Sequence, residues 1–288
     1  MEITMAESCS SQNPPDAQKK MIETQFAIRK TMNRIKHKII VLSGKGGVGK
    51  STVAVNLAYG LAKLGYRAGL LDIDIHGPSV GKMAGIENMQ IMGGPNNMIQ
   101  PIIKDDVRII TMANLLPPGD TPVVWRGPMK ANAIDQFLSE VDWDDLDFLV
   151  IDSPPGTGDE PLSIIQRLPE MDGAVIVTTP QDVALSDARR TVSFSRMLKI
   201  QVLGIVENMS GFVCPNCGER TDIFKRGGGE SAAGNLDVDF LGALPIEPAV
   251  MEASDAGTPY VKAHPDSETA AGMMNIAEKI VDKTIRKG

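Results

Sequence analysis

Apolar positions along this chain change their period repeatedly, and those changes mark out its elements. Residues 1–20, with Pro14 and Pro15 set among Ser, Gln and Asn, carry no sustained apolar period and are expected to form a flexible tail. From Met21 to Ile35, the residues Ile22, Phe26, Ile28, Met32 and Ile35 approach helical spacing, with Arg and Lys between them. Strand-like and helix-like stretches then alternate. Short β-branched or apolar runs predict strands over 38–42, 66–73, 107–112, 147–151, 173–179, 201–206 and 240–244. Helical spacing predicts helices over 51–64, 128–140 (with Pro128 in its first turn), 186–198 and 267–285.

The strands over 147–151 and 173–179 are apolar enough to be covered on both faces. Strands separated by helices imply βαβ units. The expected fold class is therefore α/β, a mostly parallel sheet with helices on both faces. No repeat or linker interrupts the alternation, so residues 21–288 are expected to form one domain, with insertions near 85–106 and 209–230.

Composition narrows the function. The 288 residues are 42% hydrophobic, ample for one large core. Lys and Arg total 29 against 36 Asp and Glu, a net charge of −7, so no nucleic-acid partner is expected. The longest apolar runs, such as Phe148–Ile151 and Ala174–Val177, have strand length, far short of the roughly 18 residues that span a membrane. No membrane partner is expected. The chain starts Met1-Glu2-Ile3, without a basic-then-apolar leader, and reads as cytoplasmic. Three cysteines, Cys9, Cys214 and Cys217, are too few for a disulfide framework.

The chemistry begins at Gly44-Lys45-Gly46-Gly47-Val48-Gly49-Lys50-Ser51-Thr52, which fits G-x-x-x-x-G-K-[ST] between a predicted strand and a predicted helix. Glycines there turn successive N–H groups around a phosphate chain, and the helix N-terminus adds positive potential. Lys50 is placed for the β- and γ-phosphates and Ser51 for Mg²⁺, so ATP and magnesium are the expected ligands. Lys45 is an added lysine at the start of the loop. Two further segments end strands in carboxylates: Leu71-Asp72-Ile73-Asp74, and Phe148-Leu149-Val150-Ile151-Asp152 with a Gly/Pro loop behind it. Ligands gather at that edge of a parallel sheet.

Cys214-Pro215-Asn216-Cys217-Gly218 is a C-x-x-C on a turn-rich segment. Its spacing lets two thiolates meet one zinc ion or one iron–sulfur cluster, both of which usually take four protein ligands. None of His37, His76 and His264 has ligand spacing to Cys217. Two copies of the pair across a two-fold axis would complete the set, which suggests a homodimer. A cluster, zinc, a redox pair and an unligated pair all remain open on these residues alone. Cys9 has no neighbour and reads as an inert tail thiol.

The loop with Lys45 resembles the deviant Walker A type of the P-loop NTPase fold, shared by Min, Par, arsenite-pump and nitrogenase iron-protein ATPases. That resemblance implies that Lys45 reaches a partner's nucleotide. Taken with Asp72–Ser79, Trp125–Met129, Asp152–Glu160 and Glu207-Asn208-Met209-Ser210 before the paired cysteines, the chain resembles the Mrp/ApbC/Nbp iron–sulfur carrier ATPases from about residue 37 to 285. The resemblance implies a homodimer that binds and slowly hydrolyses ATP and passes a [4Fe–4S] cluster to apo iron–sulfur proteins. It implies catalytic roles for Lys45, Lys50 and Asp74, the last orienting the attacking water. It also implies magnesium support from Asp72 and Asp152, and an adenine pocket at Asn208 bordered by Pro245. Longer carriers have a four-cysteine N-terminal extension, and only Cys9 stands there, so the likeness is to the short form. A Min- or Par-type spatial-organisation ATPase and a zinc-stapled dimeric ATPase are the competing expectations.

Overall fold

The computed structural model describes residues 14–75, 77–95, 98–115, 127–214 and 217–285. In chain order it contains α1 (Pro14–Met32), β1 (Ile35–Leu42), α2 (Lys50–Lys63), β2 (Ala68–Asp72), α3 (Val80–Met83), β3 (Met92–Gly93), β4 (Ile99–Gln100), β5 (Ile102–Lys104) and β6 (Val107–Thr111). Next come α4 (Gly127–Ser139), β7 (Leu146–Asp152), α5 (Asp159–Ile165), β8 (Gly173–Thr178), α6 (Asp182–Met197), β9 (Val202–Val213), β10 (Arg220–Thr221) and α7 (Gly228–Asn235). The chain closes with β11 (Phe240–Ile246), α8 (Pro248–Asp255), α9 (Tyr260–Ala263) and α10 (Glu268–Ile285).

The main sheet has nine strands, running β10-β9-β8-β1-β7-β2-β6-β5, with β11 also paired to β9. From β11 across to β6 the pairing is parallel, while β5 and β10 add antiparallel edges. Side chains of β1 alternate between two cores. Ile39 and Val41 pack with α2 and α10, whereas Ile40 and Leu42 pack with α1, α4 and α5. Burial on both faces is why the run at 39–42 is apolar without alternation. A smaller cluster joins Ile176 and Ile205 to α6 and α7.

The α/β expectation holds, and four boundaries move. Helix α1 starts at Pro14, so residues 14–20 are not tail; proline is tolerated in a helix's first turn, where its missing N–H costs nothing. Residues 1–13, including Cys9, lie outside the described part. Ile35 opens β1 instead of closing the first helix, because it pairs with Leu146 of β7 and is buried there. The expected strand at 201–206 runs on to Val213, carried past its polar residues by pairing with β11. The insertion near 85–106 is a hairpin of β3 and β4 followed by the antiparallel edge strand β5.

Candidate functional site

The C-terminal ends of β1, β7 and β2 lie side by side, with Asp152 level with both Val41 and Asp72. The chain leaving β1 wraps over this edge as residues 43–49 and enters α2 at Lys50. Gly47 and Gly49 hold φ of 79° and 83°, a left-handed backbone that L-residues with a Cβ adopt at a cost. Gly44 is held by space: a Cβ there would lie 2.6 Å from the Asp187 carbonyl oxygen of α6. These constraints turn the loop inward around a cleft of about 240 Å³ lined by Lys45, Gly47, Lys50, Ser51, Asp74 and Pro155, among others.

Lys50 is buried, and its Nζ lies 2.6 Å from Asp152 Oδ1 and 3.8 Å from Asp74 Oδ2, and donates to Ser51 Oγ at 3.2 Å. Asp72 sits behind, accepting from the Thr111 hydroxyl at 2.7 Å and from the Asp74 N–H at 3.0 Å. Burial first, then the neighbouring Asp152 carboxylate, pushes the Asp72 carboxyl up to about 8. Burial also raises Asp152, against the opposing pull of Lys50. Asp152 Oδ2 is buried with no hydrogen-bond partner among the described residues. An orphaned carboxylate oxygen beside the Ser51 hydroxyl is an all-oxygen donor set, which fits magnesium.

Both loops behind these carboxylates are tied to the phosphate-loop strand or to Asp74. Gly77 N–H donates to Asp74 Oδ1 at 3.2 Å. Ser153 Oγ donates to the Val41 carbonyl at 2.9 Å, and Gly156 N–H to the Ser43 carbonyl at 2.8 Å. Lys45 is half-buried, with no ion pair among the described residues. On the other flank, Asn208 Nδ2 donates to the Val48 carbonyl at 2.9 Å, so a side chain at Gly49 would collide with its amide. Asn208 therefore contacts the phosphate loop itself, which the adenine expectation had not included. Pro245 is half-buried in β11 next to Leu244, the partner of Asn208, where the pairing with β9 shifts register. A residue without an N–H is accommodated at such a bulge.

The paired cysteines stand at the tip of a hairpin. Val213 of β9 pairs with Arg220 of β10, Cys214 N–H donates to the Glu219 carbonyl, and Gly218 N–H donates to the Cys214 carbonyl, both at 2.9 Å. Gly218 takes φ 72° to close the turn. Cys217 is exposed and Cys214 half-buried. Among the described residues no group of three or more His, Cys, Asp or Glu side chains gathers around them or elsewhere in metal-binding fashion. His76, Trp125 and Arg126 lie outside the described residues.

Sequence reasoning passed over Thr111, the hydroxyl that Asp72 accepts from, and Glu207, fully buried in β9. Nothing local marks Thr111, whose partner is 39 residues away. Glu207 stood inside the Glu-Asn-Met-Ser motif without a role, and its partners Gly227 and Gly229 are too distant in sequence to mark it.

A parallel sheet whose first strand runs into this glycine loop, with carboxylates from two neighbouring strands around its lysine, defines a P-loop NTPase of the MinD/ParA-like type. The ParA family model described as NUBPL iron-transfer P-loop NTPase matches residues 34–281, and the chain belongs to that family. The iron-sulfur cluster carrier protein of Methanocaldococcus jannaschii is 50% identical over 278 residues, covering 96% of this chain and 95% of its own. The solved nucleotide-binding protein of Archaeoglobus fulgidus in complex with ADP is 37% identical with a TM-score of 0.72, covering 81% of this chain and 91% of that one. The MinD septum site-determining protein of Pyrococcus horikoshii, with Mg-ADP, is 23% identical with a TM-score of 0.63 over 85% of this chain and 96% of that one, and shares the fold alone.

Proposed function

We propose that this protein is an ATP-dependent iron–sulfur cluster carrier that holds a [4Fe–4S] cluster between two copies of itself and passes it to apo iron–sulfur proteins. The observation that carries this reading is the placement of Cys214 and Cys217 together at an exposed hairpin tip. Two thiolates are half of a four-ligand set, and a second copy supplies the other half. The name of the M. jannaschii relative supports the same cargo. The cytoplasm suits the assignment, since thiols that serve as ligands must stay reduced.

At the other site, backbone N–H groups of residues 46–50 and the start of α2 receive the phosphates, and Lys50 turns from Asp152 to the β- and γ-oxygens. Ser51 and Asp152, with Asp72 behind, would hold magnesium, which neutralises phosphate charge when bound. Asp74 orients the attacking water, and Lys45 extends toward the partner's nucleotide, where a cation stabilises charge on the transferred phosphoryl group. Asn208 and Pro245 border the base. The loops behind Asp74 and Asp152 respond to nucleotide state, and slow hydrolysis serves a switch.

The test is anaerobic reconstitution of the full chain, with iron, sulfide and zinc analysis beside an absorption spectrum. About four irons and four sulfides per dimer are expected. Zinc with no iron would replace the cargo reading by a metal-stapled ATPase, and neither metal would leave the nucleotide switch alone.

A further inference from the structure

Glu207 is the one glutamate buried completely within the described sheet, and nothing in the nucleotide site uses it. It sits in β9 between Thr178 of β8 and Ala243 of β11, held by a ladder on each side. Its Oε1 accepts from the Gly227 N–H at 2.9 Å and from the Ser210 hydroxyl, and its Oε2 accepts from the Gly229 N–H. Gly227 and Gly229 lie 20 and 22 residues further on, at the start of α7, where the excursion bearing Cys214 and Cys217 returns to the sheet. No cation balances this carboxylate in the contacts it makes; N–H groups and the positive end of a helix do so.

Three consecutive glycines stand at this return, each for its own reason. Gly227 has φ 78° as the cap of α7. A Cβ on Gly228 would lie 2.8 Å from the Pro180 carbonyl oxygen, and one on Gly229 would lie 2.9 Å from Glu207 Cβ. Gly227 and Gly229 bring the far end of the excursion onto one carboxylate, and Gly228 lets it pass close to Pro180.

The next residue, Asn208, grips the phosphate loop through the Val48 carbonyl. Adjacent strand residues face opposite sides of a sheet. One peptide unit thus joins a hold on the phosphate loop to a hold on the return end of the thiol excursion. Immediately beyond it, Met209 and Gly211 take φ of 57° and 76°, so β9 turns a corner between the grips and Cys214.

We propose that Glu207 is the positioning residue that couples the phosphate loop to the thiol pair. When nucleotide draws the loop in, Asn208 follows the Val48 carbonyl and twists β9. Glu207 carries that twist to Gly227 and Gly229, so the excursion is displaced from both ends at once and the thiols shift together. The purpose of this coupling rests on the carrier function proposed above, but the coupling itself is measurable on the thiols without any cluster.

The test is site-resolved alkylation of Cys214 and Cys217 by iodoacetamide in the full-length apoprotein, with and without saturating MgATP, read by mass spectrometry. The wild-type rates should change about fivefold or more with nucleotide, the lower end of ordinary coupling between sites. Glu207→Gln places an amide N–H against a backbone N–H. It should still bind ATP, within about threefold of wild type, while its thiol rates differ by less than about twofold between the two states. Ser210→Ala leaves both backbone bonds and should keep most of the response. If Glu207→Gln does not fold, Gly229→Ala, which pushes on the clasp from its other side, decides. A full nucleotide response in the decisive variant, or no response in the wild type, overturns the proposal. A part that only stabilises the fold would lower the melting temperature and leave the nucleotide response intact, which also overturns it. Loss of the carrier reading would look different: no iron taken up on reconstitution, with the thiol response still present.

Discussion

The phosphate loop and the thiol hairpin sit on the same sheet and are built on opposite terms. At the loop, Lys50, Asp72, Asp74 and Asp152 are all buried, and each touches another. The charges there are costly to bury and stay only because they are paired or protonated. At the hairpin, two thiols stand on a turn held by two backbone hydrogen bonds, with Cys217 exposed. The first site gathers its charges within one chain, around a cleft of about 240 Å³. The second offers two thiols, which on the function proposed above are half of a four-ligand set. A carrier of the kind proposed must keep its fuel apart from water and its cargo within reach of a client, and a buried charged cleft beside an exposed Cys217 suits that division.

The contrast breaks first under Cys214→Ala. Iron content after anaerobic reconstitution should fall to background, while ATP affinity measured by calorimetry stays within about twofold, since five residues of β9 separate Cys214 from Asn208. A variant that keeps a full cluster defeats the shared-ligand assignment. Lys50→Ala is the mirror experiment. Losing a charge-assisted contact of about 3 kcal/mol should weaken ATP binding by about 100-fold or more, with iron content unchanged.

Asp72→Asn sharpens the comparison through pH. Unfolded, the Asp72 carboxyl ionises near about 4; folded, near about 8. Between those values the folded chain holds the extra proton, so raising the pH destabilises it. In urea unfolding without nucleotide, the variant should gain on the wild type steadily from pH 4 to 8 and level off above. Parallel curves would mean that Asp72 is already ionised in the fold. The smallest effect belongs to Gly218→Ala. A Cβ there meets nothing within 4 Å among the described residues, so the left-handed φ of 72° is what opposes it. The cost of about 1 kcal/mol should make cluster loss to a chelator roughly fivefold faster.

How legible each region was follows from how local its contacts are. Gly44 to Thr52 could be read because the loop's function is written in nine adjacent residues, and the strands could be read because burial on both faces removes polar positions from them. The Glu207 clasp could not, since its partners Gly227 and Gly229 are 20 and 22 residues away, and a triple glycine reads as an ordinary loop. The extension of β9 was hidden for a related reason. Glu207, Asn208 and Ser210 are polar, and only the register against β11 makes them strand. Helices α8 and α9 are short and were missed, although Pro248 at the first turn of α8 was a usable sign.

The end of β9 has a wider consequence. Its pairing with β8 stops at Thr178–Glu207, and from there to Phe212 it leans on β11. The parallel part of the sheet is therefore closed before Cys214 is reached, and beyond it β9 pairs with the short β10. The turn between Val213 and Arg220 is an interchangeable head on a standard shaft. A different short turn grafted there would leave the nucleotide switch whole and give it another load to carry.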